Sequence, residues 1–452
     1  MMIQNPSPRP ASISAWSSVG LLSVLYALGM MDRIVLAMII KPIKAAFGIG
    51  DFQVGLLMGL AFSLTYVILG VPMGLVADRK PRKLVIFGGL LVWSLAMTGS
   101  AFAAGFLSLF IFRMALGVGE AALSPAAVPL ISSLFPPERR SLPLSIYMGS
   151  SNVGAAVAAV SAGFLIHWFT QNRGAVPLLG AETHPWQFVF LCMALPGFLL
   201  LPLVLLLPDP PRSREPRSSP GFKPLWHFLR SRKRLFVPLF LTFALSVTVN
   251  YSFSYWSAEY LMRVHGWTKA QAGALMGFMF FVPPLLSHLA SGFLLDKLAA
   301  RGIRDAPLRL FQIMALLSLP FSLIAYLAAN SAMAVTGMVV IVSLFYPSLS
   351  FGTITVQQVT PDALKGQMTG AFLSFANFFG LAIGPALVGF LTQHAFNGSG
   401  ALGTALAMIV GPGILLVCLC LGLCLGPLRA AVDASAPLGA VERLTPDAGN
   451  HP

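Results

Sequence analysis

The sequence predicts an all-α membrane protein of twelve transmembrane helices in two pseudo-symmetric six-helix bundles. Three observations carry this expectation. Of 452 residues, 56% are apolar and only 10% charged, and the mean hydropathy is +0.80, a balance outside the range of soluble domains. Apolar runs long enough to cross a bilayer recur along the chain. The stretch Gly74-Leu-Val-Ala-Asp78-Arg79-Lys80 lies between two such runs, and a weaker copy, Gly292-Phe-Leu-Leu-Asp296-Lys297, follows 218 residues later.

Taken in order, the apolar runs fall at 18–40, 53–77, 84–104, 106–135, 142–168, 186–207, 235–258, 270–295, 308–328, 333–360, 367–393 and 401–426. Each accommodates the ~20 residues of a spanning helix. Residues 1–17 are polar, carry one arginine and lack a small-residue cleavage site, so the first span is expected to stay in the mature chain. A Pro-rich basic segment at 208–234 divides the chain, leaving bundles at 18–207 and 235–426 and tails at 1–17 and 427–452. Asn152, Gly154 and Gly163 in the fifth span are answered by Asn377, Gly380 and Gly389 in the eleventh, at offsets of 225 to 226. Parallel six-helix repeats suit a transporter whose halves rock about a central site.

Orientation follows from the basic residues, which are held on the cytoplasmic side. With both termini on the cytoplasmic side of the cell (inner) membrane, 22 of the 29 lysines and arginines face the cytoplasm. Five face outward (Lys41, Lys44, Arg173, Arg263 and Lys269), and Arg33 and Arg113 lie within spans. The net charge of +14 is thus spread over alternate loops rather than gathered on one face, which excludes nucleic acid as the expected partner. Cys192, Cys418, Cys420 and Cys424 lie inside spans six and twelve with no histidine or carboxylate nearby, so no metal site is expected.

A glycine four residues before an acid, where an apolar helix meets a basic turn, lets helices approach while the carboxylate reaches neighbouring helix ends. Gly74, Asp78, Arg79 and Arg139 in one half, with Gly292, Asp296 and Lys297 in the other, are the candidate cytoplasmic gate. Ordinary charged helix caps are the alternative for either copy alone.

Charges inside a bilayer cost several kcal/mol, so Asp32, Arg33, Arg113 and Glu120 are functional candidates. Arg113 and Glu120 are seven residues apart, two helical turns on one face. Asp32 lies roughly 12 Å below the outer boundary, Arg113 roughly 10 Å and Glu120 roughly 21 Å. Arg113 is therefore expected to pair with Asp32 or to reach toward Glu120, exchanging partners with protonation. A static cluster that locks spans one and four together is the alternative. The candidate cavity wall comprises Arg33, Tyr66, Tyr147, Asn152, Asn250, Tyr251, Trp256, Tyr346, Gln357 and Asn377, although helix-to-helix hydrogen bonding accounts equally well for the amides and an interfacial belt for the aromatic residues around Tyr251.

Several motifs resemble the spinster family of the major facilitator superfamily. They are Asp32-Arg33; Asp51-Phe-Gln-Val-Gly-Leu-Leu-Met-Gly-Leu-Ala-Phe leading to Tyr66; Arg113-Met-Ala-Leu-Gly-Val-Gly-Glu120; Gln358-Val-Thr-Pro361; and Gly380-Leu-Ala-Ile-Gly384-Pro385. The resemblance covers nearly the whole chain, with departures at Met31, Pro81 and Trp186-Gln187. It implies a secondary transporter with alternating access, with Asp32, Arg113 and Glu120 as the charged centre coupled to proton movement. It also implies an amphiphilic or lysolipid-like and sphingoid-type substrate. Membrane lipids and that substrate are the expected partners, the proton is the expected coupling ion, no other cofactor is expected, and a monomer is expected. A carrier of a compact organic anion or a polyspecific drug exporter is the alternative. An intramembrane enzyme has the least support, because no His-Glu-x-x-His, Ser-Lys or paired-Asp arrangement lies within the spans.

Overall fold

Lipid offers no partner to a bare backbone amide, so an apolar run can cross a membrane only as a helix or in a closed barrel. In the computed structural model the runs are helices. The structure describes residues 13–136, 139–171, 184–210, 222–361, 364–396, 398 and 400–433. Much of the expected tails and of the linker, and the surroundings of Gly163, lie outside the described residues.

The first half contains α1 (Ile13–Met38), α2 (Ile40–Phe47), α3 (Asp51–Met58), α4 (Leu60–Arg79), α5 (Arg82–Ala101), α6 (Phe106–Ala121), α7 (Leu123–Leu134), α8 (Ser141–Gln171) and α9 (Pro185–Leu205). After the linker helix α10 (Phe222–Ser231) come α11 (Lys233–Val264), α12 (Lys269–Ala300), α13 (Ala306–Leu327), α14 (Ser331–Phe345), α15 (Ser348–Val359), α16 (Lys365–His394) and α17 (Ala401–Asp433). Among the described residues eleven spans are long and apolar enough to cross a membrane, and α8, 31 residues long, occupies the position of the remaining one. The chain is a multi-pass membrane protein.

Three spans are interrupted, each for a local reason. The second breaks at Gly59 between α3 and α4, where the carbonyl oxygen of Leu381 from α16 fills the space a Cβ would need. The fourth breaks at Ala122, because Pro125 cannot donate to the carbonyl of Ala121. The tenth breaks at Tyr346-Pro347, between α14 and α15. Ala122 and Pro347 are 225 positions apart, the offset that relates Asn152 to Asn377, so the interruptions of the fourth and tenth spans belong to the same repeat.

Burial is inverted relative to a soluble protein. Leu206, Phe293 and Leu423 are 77%, 73% and 69% exposed, facing outward into what must be lipid, while charged residues lie in the interior. Glycine sets the closest approaches. Gly154 seats α8 against the Ala27 carbonyl of α1, and Gly380 seats α16 against Val247 of α11, matching contacts in the two halves.

Among the described residues, the close glycine contacts between the halves lie at one end. Gly55 lies against Pro385, Gly389 against the Asp51 carbonyl, and Gly273 and Gly277 of α12 against Ala159 and Ala156 of α8. At the opposite end a Cβ built on Gly292 would meet nothing within 4 Å, and one on Gly74 would meet only Pro125 of its own bundle, at 3.9 Å. The close helix approach expected at Gly74 and Gly292 is not made in this conformation. Gly292 and Asp296 instead line an open cleft of about 530 Å³ with Ile354 and Gln358.

Candidate transport site

Helix α1 carries Tyr26, Gly29 and Arg33 at spacings that place them on one face. Long side chains on a helix tilt toward its N-terminus, so Arg33 points along α1 toward the depth of Glu120 on α6. Its Nη2 donates to Glu120 Oε2. The guanidinium carbon lies 4.2 Å from the Phe62 ring centroid and 5.2 Å from that of Tyr66, both on α4 and themselves stacked. Gly29 makes room for the carboxylate: a Cβ there would lie 3.1 Å from Glu120 Cδ.

Asp32, one residue earlier, turns about 100° around the helix and meets Arg113, whose Nη1 donates to Asp32 Oδ1 at 2.7 Å. Asp32 and Arg113 are 0% and 1% exposed, so this pair is sealed from water, whereas the Arg33 and Glu120 side chains retain 13% and 8%. Asp32 Oδ2, Arg33 Nε, Arg113 Nε and Glu120 Oε1 are buried without a hydrogen-bond partner among the described residues. Each of the four charges thus keeps one unspent polar atom, an arrangement suited to exchanging partners.

The second bundle closes over this centre with aromatic residues. Tyr251 and Tyr255 of α11 join Tyr66 in the electrostatic surroundings of Arg33. Tyr251 donates to Asn377 Oδ1 at 3.1 Å, and Asn250 donates to Ser348 Oγ at 3.1 Å, tying α11 to α16 and to the interruption of the tenth span. Tyr147 is wholly buried, 3.3 Å from Ser124 Oγ and stacked on Tyr26 with centroids 4.7 Å apart. Asn152 and Tyr346 are half-buried on α8 and between α14 and α15. Trp256 is placed elsewhere: it is 0% exposed, and its indole N–H donates to the Pro385 carbonyl in the seam between α11 and α16. Gln357 is exposed on α15 toward the open end, where Asp78, Arg79, Arg139, Asp296 and Lys297 are exposed too. Among the described residues no group of three or more His, Cys, Asp or Glu could hold a metal.

At the closed end lies a cluster that sequence reasoning missed. Asp51, at the start of α3, accepts from Arg263 Nη1 at 2.8 Å and Nη2 at 3.2 Å, and also from Lys44. Arg263 in turn donates to Glu259 at 3.0 and 3.1 Å. Gln393 of α16 accepts from the Phe52 amide at 3.0 Å. The Arg263–Asp51 and Phe52–Gln393 bonds join the two halves across the chain. Glu259 sits one residue beyond the expected end of the seventh span, 235–258, and its i,i+4 spacing to Arg263 was the available signal. Tyr26, two turns before Arg33, was legible by the same helical arithmetic.

A family model for the major facilitator superfamily matches residues 22–385. The chain belongs to the major facilitator superfamily. Among its relatives, an MFS-type efflux pump of Mycolicibacterium smegmatis is 27% identical over 416 residues, covering 90% of this chain and 91% of the pump. A hexuronate transporter of Bacillus subtilis is 27% identical over 387 residues, covering 82% and 86%. Human spinster homolog 1 is 31% identical over 259 residues, 54% of this chain and 45% of that protein. A solved bacterial homolog of the human lysosomal transporter spinster, inward-facing and unoccupied, superposes with a TM-score of 0.77 at 22% identity, covering 94% of this chain and 98% of that one. The resemblance to the spinster family is thereby shown, and the superfamily is one of transporters rather than enzymes.

Proposed function

We propose that this major facilitator transporter works by alternating access, coupled to protons through its buried charge centre, and moves an amphiphilic small molecule or lysolipid-type lipid across the cell membrane. The observation that carries this reading is the pair of ion pairs on α1 and α6, beneath aromatic residues of the opposite half. Protonation of Glu120 removes the counter-charge of Arg33, freeing a guanidinium that already lies over two aromatic rings to meet an anionic or zwitterionic headgroup. Asp32 and Arg113, fully sealed, hold α1 to α6 as the second ion pair of the centre. In the orientation expected from the basic loops, with both termini cytoplasmic, the Asp51–Arg263 end is the outer gate and is shut, and the Asp78 and Asp296 end is the open inner gate. The protein acts as a monomer and uses no cofactor beyond the proton.

The hexuronate transporter among the relatives favours a second reading, a carrier of a compact organic anion held by Arg33. The efflux pump, matched over most of both chains, favours export of a small molecule. Uptake of lysolipids, fatty acids, sugar acids and cationic dyes into proteoliposomes, with and without a pH gradient, separates these readings. Amphiphile transport that responds to the gradient supports the proposal, and transport of sugar acids alone overturns its substrate.

A further inference from the structure

A second apolar space lies away from the charge centre, where the linker helix α10 meets the start of α11 and the first half of α16. It is a groove of about 550 Å³ walled by Phe236, Phe240, Leu241 and Phe375, with Arg230 and Lys233 at its mouth. We propose that this groove binds an anionic phospholipid from the leaflet against which α10 lies, with its phosphate held by Arg230 and Lys233 and an acyl chain against the phenylalanines.

The groove opens toward lipid, because Leu241 is 55% exposed on the outer face of a spanning helix. Eight residues separate Lys233 from Leu241, about 12 Å along α11, so the charged mouth sits at headgroup height when the apolar wall sits among acyl chains. The basic residues are divided in function. Arg232 turns inward, where its Nη1 donates to the Val359 carbonyl at 3.3 Å and its guanidinium lies 5.2 Å from the Phe228 ring centroid, fixing α10 to the bundle. Arg230 at the end of α10 and Lys233 at the start of α11, on either side of the turn at Arg232, remain exposed at the mouth. Leu225 is buried beneath α10, so the helix presents one apolar and one basic side, the pattern of an interfacial helix. No carboxylate lines the groove among the described residues, leaving two positive charges for an acidic headgroup. Basic pockets beside spanning helices on the cytoplasmic side bind acidic headgroups for this reason.

The test is native mass spectrometry of the purified full-length protein, with phosphatidylglycerol and phosphatidylcholine added in turn. It reads binding without transport, so its outcome is independent of the substrate reading. Wild-type protein should retain phosphatidylglycerol in preference to phosphatidylcholine, and Arg230→Gln with Lys233→Gln should reduce that preference roughly 30-fold. Leu241→Trp, which narrows the groove without touching the charges, should lower retention of both lipids. Lys297→Gln with Arg301→Gln, basic residues elsewhere at the same end, should change neither. Equal retention of the two lipids by wild-type protein, an unchanged preference in the Arg230/Lys233 variant, or an equal loss in the Lys297/Arg301 variant would each overturn the proposal.

Discussion

Asp32 and Glu120 occupy one buried cluster, yet their settings predict different responses to substitution. Arg113→Ala leaves the sealed Asp32 carboxylate without its cation, at a cost of about 3–5 kcal/mol, and should lower the thermal midpoint sharply. Glu120→Gln keeps the shape of the site while removing a charge that is slightly more accessible, so its midpoint should move far less. Differential scanning fluorimetry of the two variants checks this ordering, and equal losses would favour a static cluster. Outside the membrane, Asp305 links Arg309 at 3.0 Å and Arg429 at 2.6 Å. Burial alone would raise its carboxyl pKa, but the two hydrogen-bonded guanidiniums outweigh it and hold the pKa below its ordinary value. A lowered folded-state pKa contributes stability above the unfolded pKa and loses it as pH falls through the folded one. Asp305→Asn should therefore be destabilised by about 1 kcal/mol at neutral pH and match wild type in strong acid, as melts across pH would show. The intramembrane charges themselves were legible, since hydropathy isolates them. Their pairing was legible only in part: similar depth placed Arg113 beside Asp32, which it meets at 2.7 Å, but depth ignores direction around α1, so the pairing of Arg33 with Glu120 was not read.

The closed end depends on how α3 and α11 are held together. Arg263 makes a two-pronged contact with Asp51 across the halves, and such a bond exists only while that end is shut. Removing it biases the equilibrium by the contact's own differential energy. Arg263→Ala should shift the population toward the opposite opening about tenfold, and exchanging the charges as Asp51→Arg with Arg263→Asp should restore part of the shift. Alkylation of a cysteine introduced at Ala386, buried on α16 beside Gly55 when that end is closed, measures the population. An unchanged rate in Arg263→Ala would remove Asp51 and Arg263 from the gate. At this scale the spans were readable from length and hydropathy alone, but their interruptions were not. Gly59 breaks its span through a carbonyl from a helix more than 300 residues away in sequence, which no local pattern reveals.

Taken as a whole, the chain behaves as two matched bundles shut at one end, and the repeat was legible because Asn152, Gly154, Asn377 and Gly380 recur at nearly constant offset. Which gate stands closed was not legible, since both arrangements share one sequence. With both termini cytoplasmic, single cysteines on a cysteine-free background should be labelled by an impermeant reagent outside intact cells at Ala329 and only after the cells are opened at Arg301, the two positions flanking α13, and labelling of Arg301 but not Ala329 from outside would reverse the topology. The central claim is that protonation of the buried centre sets which end is open, and it can be measured without knowing the substrate. Spin labels at Leu107 and Met333, on opposite bundles at the end closed by Asp51 and Arg263, report the separation of the halves by pulsed electron resonance as pH is varied. Wild-type protein should redistribute between a short and a long distance with pH, while Glu120→Gln should hold the low-pH distribution throughout. A Glu120→Gln variant that keeps the wild-type pH dependence would contradict the account.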